Sequence, residues 1–202
     1  MARAIALVAV VPALLSFAVR AIVYGQDRAL EGSTQTLGMI PGVSGEYLRR
    51  AFLSRTLDYC DAQAVIGFGT LFSRVGARID ENAYIGAHCI LGLVHVGRDA
   101  LIASGVHIPS GPHTHGFDDL TRPIREQEGR PQLVIIGAGA WIGNKAVVLA
   151  DVGAGSIVGA GSVVTRPIPD CVIAAGVPAR VLRHRDGRDW EMRQATDAYP
   201  AS

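Results

Sequence analysis

The sequence predicts an all-β solenoid, a parallel β-helix, on three observations. Between residues 65 and 164 a small aliphatic residue returns at every sixth position, and glycine often follows it. A second, small or β-branched residue stands four places after most of these aliphatic residues. The chain has 24 glycines but only 6% aromatic residues, which suits a thin prism. A hexapeptide period is typical of a parallel β-helix, in which each repeat forms one face of a coil.

Two rows of residues are expected to fill the interior of this prism. The first row is aliphatic: Ile79, Ile85, Leu91, Val96, Ile102, Ile136, Ile142, Val148, Val152, Val158 and Val164. The second row is small or β-branched: Ala83, Cys89, Ala100, Val106, Ala140, Ala146, Ser156 and Ser162. One spacing is irregular, since Val148 and Val152 are four residues apart instead of six. The pattern itself offers no explanation for that short step.

The period is interrupted by one long inserted loop, from about residue 112 to residue 133. This segment is polar and turn-rich, and it carries His113, His115 and several carboxylates. A long loop within a regular scaffold is usually functional or disordered. Because imidazole titrates near neutral pH, this concentration of titratable groups favours a functional loop.

The first 24 residues lie outside the repeat and predict an apolar, membrane-associated helix. No charged residue occurs from Ala4 to Val19, and Arg3 and Arg20 bracket this run. Its length is close to the roughly 20 residues that cross a bilayer as a helix, although Pro12 lies in its middle. A secretory signal peptide and a helix buried against other subunits are the alternatives. On the membrane interpretation we expect the protein in the cytoplasm, at the cytoplasmic face of the inner membrane.

Residues 25–64 are expected to form a connector with a short basic helix from residue 46 to residue 57. The arginines of that helix, Arg49, Arg50 and Arg55, suit anionic lipid headgroups. The helix also suits the open end of the prism, where it would cover strand edges. Both roles remain open at this point.

The repeat sets the bounds of the remaining segments. Residues 65–183 are expected to form the β-helix domain, and residues 184–202 a polar tail of mixed charge, typical of a solvated surface.

Charge and cysteine content argue against two kinds of ligand. The net charge of +1 gives no sign of nucleic-acid binding. The three cysteines, Cys60, Cys89 and Cys171, share no spacing typical of metal ligands. We therefore expect no metal.

The repeats, the histidine loop and a closing block together resemble the hexapeptide-repeat acyltransferases, most of all the maltose, galactoside and polysaccharide O-acetyltransferases. The closing block comprises Trp141-Ile142-Gly143-Asn144, residues 158–166 and residues 176–181. The resemblance covers roughly residues 65–183. It implies a left-handed β-helix, a homotrimer with sites between subunits, and acetyl-CoA as the acyl donor. It further implies a carbohydrate acceptor in a surface polysaccharide or glycolipid, and the apolar N-terminus points toward a lipid-linked glycan.

The resemblance also implies a catalytic residue. Family members carry a loop histidine, an aspartate three places later, and then a proline-aliphatic pair. His115 and Asp118 match this spacing ahead of Pro123-Ile124, and His113 is the rival. Such a histidine would take the proton from a sugar hydroxyl as its oxygen attacks the thioester. Asp118 would hold the imidazole in the useful tautomer, and a backbone N–H would stabilise the oxyanion.

For the coenzyme, the resemblance points to seven residues: Trp141, Gly143, Ala160, Thr165, Arg166, Arg180 and Arg183. Small residues would let the pantetheine arm lie along the coils, and guanidinium groups suit the phosphates. One departure concerns the acceptor. His88 stands before the inward Cys89, where the sugar acetyltransferases tend to carry asparagine.

Two other classes of function are kept as alternatives. The γ-class carbonic anhydrases share this fold and hold zinc with three histidines at subunit interfaces, and this chain offers His88, His95, His107, His113 and His115. A non-catalytic β-helix scaffold is the other alternative. The long insertion and the outward Trp141 favour the acyltransferase.

Overall fold

The computed structural model describes residues 2–186, in which four helices precede a parallel β-solenoid of about six turns. The helices are α1 (Ala2–Ala9), α2 (Val11–Tyr24), α3 (Gln26–Gly38) and α4 (Gly42–Thr56). The apolar first 24 residues thus form two helices, and residues 25–64 hold two more. Sequence analysis anticipated only α4 within that second segment. Helix α3 is polar along much of its length and has few large apolar residues that would indicate a helix.

The predicted solenoid is confirmed, with short strands that stack into three sheets. The strands are β1 (Tyr59–Cys60), β2 (Val65–Ile66), β3 (Leu71–Phe72), β4 (Arg78–Ile79), β5 (Tyr84–Ile85), β6 (Ile90–Leu91), β7 (Val94–Val96), β8 (Leu101–Ile102), β9 (His107–Ile108), β10 (Val134–Ile136), β11 (Trp141–Ile142), β12 (Val147–Val148), β13 (Ile157–Val158), β14 (Val163–Val164), β15 (Val172–Gly176) and β16 (Ala179–His184). Sheet A has the order β1-β4-β7-β10, sheet B β2-β5-β8-β11-β13-β15-β16, and sheet C β3-β6-β9-β12-β14. All pairings are parallel except the closing β15–β16 hairpin.

Both predicted rows fill the interior. Every member of the aliphatic row and of the small second row is at most 1% exposed. Within the second row, Ser156 and Ser162 are satisfied by the backbone: Ser156 Oγ donates to the carbonyl of Pro169, and Ser162 Oγ accepts from the amide of Gly176. The core is thus a continuous column of small and aliphatic side chains along the solenoid.

All variation in coil length occurs at one corner, between sheet C and sheet A. Each strand or bridge has one inward residue from which the steps can be counted. Along sheet A and its bridges these are Cys60, Ile79, Val96, Ile136, Val152 and Ile168. Along sheet B they are Ile66, Ile85, Ile102, Ile142, Val158 and Ala174, and along sheet C they are Phe72, Leu91, Ile108, Val148 and Val164. The step from sheet A to B, and from B to C, is always six residues. The step from C to A is seven, five, twenty-eight, four and four residues in successive coils. The short step after Val148 therefore lies at the same corner as the long inserted loop.

The two constant corners use left-handed backbone just before the small inward residue. Five non-glycine residues have φ between +54° and +58° there: Asn82, His88, Asp99, Lys145 and Cys171. Such φ values are uncommon outside glycine, with Asn, Asp and His enriched. His88 lies at the corner between sheets B and C, where its ring meets Phe68 edge-on at 5.3 Å and covers Gly69. The structure thus explains why a residue tolerant of positive φ stands at position 88.

The helices close the N-terminal end of the prism in two layers. Helices α3 and α4 pack on the first coil: Thr34 Oγ1 donates to the Phe72 carbonyl at 3.3 Å, and Arg50 Nη1 donates to the Ala64 carbonyl at 3.1 Å. Helices α1 and α2 pack on the outer side of α3 and α4. Among the described residues no single helix is long and apolar enough to cross a membrane, but α1 and α2 together reach that length and composition, with a bend of 45° between them.

Candidate functional site

The inserted loop is a folded arm whose two limbs pair with each other. It leaves the variable corner after β9 and returns at β10. The Gln132 amide donates to the Ser110 carbonyl at 2.8 Å, and the Arg130 amide donates to the His113 carbonyl at 2.6 Å. Further out, the Gly116 amide donates to the Gln127 carbonyl at 3.4 Å. The histidines therefore lie on a backbone held by hydrogen bonds, which gives them defined positions.

The tip of the arm is organised by Gln127. Its Nε2 donates to the carbonyls of Asp119 (2.7 Å) and Arg122 (3.0 Å), while its Oε1 accepts from the Asp119 amide at 3.1 Å. The Asp119 carboxylate accepts from the hydroxyl and amide of Thr121, and these hydrogen bonds lower the pKa of Asp119. A 3₁₀ turn at Ile124–Glu126 completes the tip. Sequence analysis did not identify Gln127, because nothing in the six-residue period predicts which residues pair across an insertion.

The arm borders a half-open cavity of about 430 Å³. It is lined by His113, His115, Gly116, Phe117, Asp118, Glu128, Gly129, Arg130 and Gln132. Both candidate histidines and Asp118 thus share one cavity. The structure adds Glu128 and Arg130 from the returning limb, which sequence analysis missed; the pairing of the limbs brings them opposite the histidines.

The two histidines have different surroundings. The His113 ring stacks on Phe117, with centroids 6.3 Å apart and planes inclined by 27°. The His115 side chain is exposed, and within residues 2–186 it makes no hydrogen bond, ion pair or ring contact. Asp118 lines the same cavity but does not hydrogen-bond to His115 in the described chain. Both imidazoles are exposed and so accessible to an incoming hydroxyl group, and of the two only His113 has a neighbouring ring.

The structure distributes the seven predicted coenzyme residues over three places. Gly143 and Ala160 meet at the corner between sheets B and C, where the Gly143 amide donates to the carbonyl of Val158 at 2.8 Å. Thr165 and Arg166 are exposed at the variable corner, on the same edge of the solenoid as the histidine arm. The third place is the outer face of sheet B, with Trp141, Arg180 and Arg183.

The side chains available at these places fit the chemistry of coenzyme A. Arg166, Arg180 and Arg183 are exposed. Arg180 and Arg183 donate only to backbone carbonyls, those of Ala179 and His184. In the described part of the chain the ion pairs involve other residues, so these guanidinium groups can bind phosphate oxygens. The donor set thus suits a phosphate-bearing ligand.

Gly143 also has a structural reason for being glycine. A Cβ at this position would lie 2.5 Å from the backbone nitrogen of Ala160 and 2.8 Å from the Val158 carbonyl oxygen. Real Cβ atoms do not approach backbone so closely, and the coils would have to separate. The close approach of adjacent coils is therefore sufficient to explain Gly143.

Trp141 lies in an outward apolar row of sheet B, which we call the sheet B ladder. Strand pairing aligns it with Leu101 on one side and Ile157 on the other, and Tyr84 follows beyond Leu101. Tyr84, Leu101 and Trp141 are each between 42% and 49% exposed. A contiguous exposed apolar surface of this kind is typical of a contact with another protein or a ligand.

The histidines that a zinc site would need are dispersed. His88 lies at a corner, His107 on the outside of sheet C, and His95 on the outside of sheet A, where its Nε2 is 2.8 Å from the Asp80 carboxylate. Within residues 2–186 no group of three or more His, Cys, Asp or Glu side chains could hold a metal ion.

Comparison with known proteins agrees with this architecture. A family model described as the hexapeptide repeat of succinyl-transferase matches residues 76–109 and 133–166, and the unmatched interval coincides with the arm. The galactoside O-acetyltransferase of Escherichia coli K12 is 48% identical over 174 residues, covering 75% of this chain and 85% of that protein. WbbJ of the same organism, named for O-acetyl transfer in lipopolysaccharide biosynthesis, is 32% identical over 136 residues, covering 62% of this chain and 67% of WbbJ.

Solved structures show the same fold. A galactoside acetyltransferase in complex with coenzyme A superimposes with a TM-score of 0.63 at 25% identity, covering 82% of this chain and 88% of that one. A maltose O-acetyltransferase from Clostridium difficile 630 gives a TM-score of 0.61 at 20% identity, covering 78% and 87%. The carbonic anhydrase alternative finds no support in these relatives. From the repeat, the arm and these relatives together, the chain belongs to the hexapeptide-repeat acyltransferase family.

Proposed function

We propose that this acyltransferase moves the acetyl group of acetyl-CoA to a hydroxyl group of a sugar, with His115 as the general base. The observation that carries the proposal is the cavity of the arm, which His113, His115 and Asp118 line together. The acetyl donor and the O-acetyl transfer are supported by the acetyltransferases to which the chain is similar, including one solved with coenzyme A.

The chemistry needs one proton acceptor and one means of stabilising negative charge. Acetyl-CoA supplies an activated acetyl thioester. The His115 imidazole removes the proton of the sugar hydroxyl as its oxygen attacks the thioester carbonyl. The C–S bond then breaks, and the imidazolium returns the proton to the departing coenzyme A thiolate. General-base catalysis of this kind is worth about 10²–10⁴ in rate. His115 is preferred because its spacing to Asp118 and to Pro123-Ile124 matches the family pattern, and His113, whose ring stacks on Phe117, is the rival. Arg130 lines the same cavity and places positive charge beside the acceptor.

Coenzyme binding is assigned to the predicted residues. Arg166, Arg180 and Arg183 bind phosphate oxygens, because their guanidinium groups are exposed and make no ion pair within the described chain. Ala160 and Thr165 flank β14, and Trp141 offers an exposed ring. Their distribution over three places favours a site completed by a neighbouring subunit.

We propose that the neighbouring subunit is a second copy of this chain in a homotrimer. The sheet B ladder is an apolar strip that a subunit contact would cover, and closed symmetric assembly is the common solution for such a surface. Replacing Leu101, at the centre of the ladder, with glutamate would place a charge in the interface. The mass in solution should then fall from three subunits to one; a monomeric wild-type protein would contradict the trimer.

For the acceptor we propose a lipid-linked glycan of surface polysaccharide or glycolipid biosynthesis, handled at the cytoplasmic face of the inner membrane. Two features support this choice: the similarity to WbbJ and the apolar surface of α1 and α2. Cell fractionation of the full chain and of a variant lacking residues 1–24 tests the location. Absence of the full chain from the membrane fraction would contradict the location, and equal recovery of both proteins there would contradict anchoring by residues 1–24.

The catalytic proposal is tested by measuring release of the coenzyme thiol with a panel of sugar acceptors. His115→Ala should lower kcat by about 100-fold or more, while the dissociation constant for acetyl-CoA should stay within about threefold. His113→Ala is the matched control on the same arm and should retain most of the activity. The reverse result would transfer the role to His113, and full activity of both variants would refute a histidine base.

A further inference from the structure

We propose that helices α1 and α2 form a docking face for an anionic membrane surface, on which the protein lies without crossing the bilayer. The docking face comprises the exposed apolar residues of the two helices: Ala4, Ile5, Val8, Ala9, Val11, Pro12, Leu15, Ala18, Val19, Ile22 and Val23. It rests on the membrane location proposed above and deepens it by naming the surface, the lipid charge and the mode of contact, but it does not depend on the acetyl-transfer chemistry.

The inner side of α2 is already in use. Phe17 meets Phe52 of α4 edge-on, with ring centroids 5.9 Å apart. Arg20 Nη2 donates to the Ser33 hydroxyl of α3 at 2.8 Å, and the Ser33 hydroxyl in turn donates to the Ala29 carbonyl. These contacts attach α2 lengthwise to the cap of the solenoid.

The outer side of α2 is apolar and uncovered. Leu15 and Val19 are each 64% exposed and Ile22 is 87% exposed, one helical turn apart. Apart from Ser16 and Tyr24, every exposed residue of α2 is apolar. A surface helix of a soluble domain normally presents polar residues to water, so a face of this composition indicates an apolar partner.

Charge at the two ends identifies that partner. Arg3 lies at the start of α1 and Arg28 just beyond the end of α2, and no acidic residue precedes Asp27. The Asp27 carboxylate is itself engaged by Arg74 Nη1 at 2.8 Å and by the amide of Val75 at 2.9 Å. An apolar face with cationic ends complements a bilayer that contains anionic lipid headgroups.

Two further details support a lipid interface. The Arg28 guanidinium lies 6.0 Å from the centroid of the exposed Tyr24 ring, and tyrosine is enriched where a membrane meets water. At the other end, Arg3 and Arg50 line a cavity of about 150 Å³ together with Ser54, and no carboxylate lines it. Arg50 Nη1 donates to the Ala64 carbonyl and the Ser54 hydroxyl to the Ala51 carbonyl, so a headgroup phosphate would be bound by Arg3 and the remaining N–H groups of Arg50.

The geometry favours lying on the surface over spanning. Helix α2 has 14 residues, which corresponds to about 21 Å at 1.5 Å per residue, whereas the hydrocarbon core is about 30 Å thick. Helix α1 is turned away from it by 45°. A spanning arrangement would also have to detach Phe17 from Phe52 and Arg20 from Ser33.

The experiment is co-sedimentation of the full chain with vesicles of phosphatidylcholine alone or mixed with phosphatidylglycerol, without acetyl-CoA or acceptor. The wild type should bind the anionic vesicles, and added salt should weaken binding. Leu15→Glu/Val19→Glu should lower the partition coefficient by about 100-fold or more, since two exposed apolar side chains lose their burial in lipid. Leu182→Glu, at another leucine that is 60% exposed but lies at the opposite end of the solenoid, is the matched control and should bind as the wild type.

Other outcomes overturn the proposal. Equal binding to neutral and anionic vesicles would refute the anionic surface, and retention after alkaline carbonate washing would indicate a spanning helix. If the double variant changes the mass of the protein in solution but vesicles never retain the wild type, the docking face meets a second copy of this chain. Release of the coenzyme thiol with soluble acceptors is measured separately, so a failure here leaves the acetyl-transfer proposal intact.

Discussion

Arg49 Nε donates a hydrogen bond to the carbonyl oxygen of Ile66 at 3.0 Å, which joins the helical cap to the first coil of the solenoid. The same guanidinium donates from Nη1 to the carbonyls of Ile40 (2.7 Å) and Leu37 (3.4 Å), at the end of α3. Arg49 is only 3% exposed, and this burial lowers its pKa. One side chain thus donates hydrogen bonds both to a carbonyl oxygen of the first coil and to the carbonyl oxygens at the end of α3. Of the two roles left open by the sequence, the structure gives Arg49 the capping role.

Arg49→Met should therefore destabilise the fold. The substitution keeps much of the apolar volume but leaves buried carbonyl oxygens without a donor, which costs about 1–3 kcal/mol. We expect a lower melting temperature and a lower denaturant midpoint in circular dichroism. Arg55→Met, at an exposed arginine on the same helix, is the control and should melt as the wild type. Equal melting of the two variants would show that Arg49 does not support the cap.

Gln127→Ala should loosen the histidine arm without unfolding the solenoid. The variant loses the three hydrogen bonds that join the tip to the backbone of Asp119 and Arg122. We expect faster tryptic cleavage within residues 112–133 and a fall in kcat/KM of about tenfold or more, because small displacements of catalytic groups are costly. Gln35→Ala, at an exposed glutamine of α3, should change neither quantity. Unaltered cleavage of the Gln127 variant would mean that the limbs alone hold the arm.

The parts of the fold that repeat could be predicted from the sequence, and the parts that depend on distant pairing could not. Inward rows are set by the local six-residue period, and every predicted inward residue is buried. The step of four residues after Val148 looked anomalous along the chain. In three dimensions it lies at the corner from sheet C to sheet A, the one corner where the step length varies from coil to coil. The contact between Phe17 and Phe52 spans 35 positions without a period, so nothing local indicates it.

The candidate site likewise has residues that the sequence identified and residues that only the folded arm brings in. The resemblance to a family identified the loop with His113 and His115, and the structure places both in one cavity. Glu128 and Arg130 could not be predicted from the sequence, because they reach the cavity only through the pairing of the two limbs. The assignments of His115, of Asp118 as its orienting partner and of the coenzyme residues remain predictions.

Gly143→Ala separates a structural role from a role in binding. The new Cβ would press on the backbone of the next coil at Ala160, and overpacking of this kind typically costs about 1–3 kcal/mol. We expect a clear fall in melting temperature. Gly38→Ala is the control, because its Cβ would meet only ordinary contacts at 3.6–3.8 Å. If Gly143→Ala melts normally and only weakens acetyl-CoA binding, then Gly143 serves the pantetheine arm.

The three cysteines should differ in their reactivity toward a disulfide reagent such as DTNB. Burial raises the pKa of the Cys60 thiol from 9.0 to about 12 and also raises the pKa of Cys89, whereas Cys171 is exposed. The thiolate is the reactive form, so a raised pKa keeps Cys60 protonated and inert even when the pH rises from about 8 to about 10. We expect one reactive thiol per chain in the native protein, three after denaturation, and none in native Cys171→Ser. More than one rapid equivalent in the native wild type would contradict the buried positions of Cys60 and Cys89. The result also has a practical consequence, because the same reagent detects the coenzyme thiol and Cys171 then adds one constant equivalent that Cys171→Ser removes.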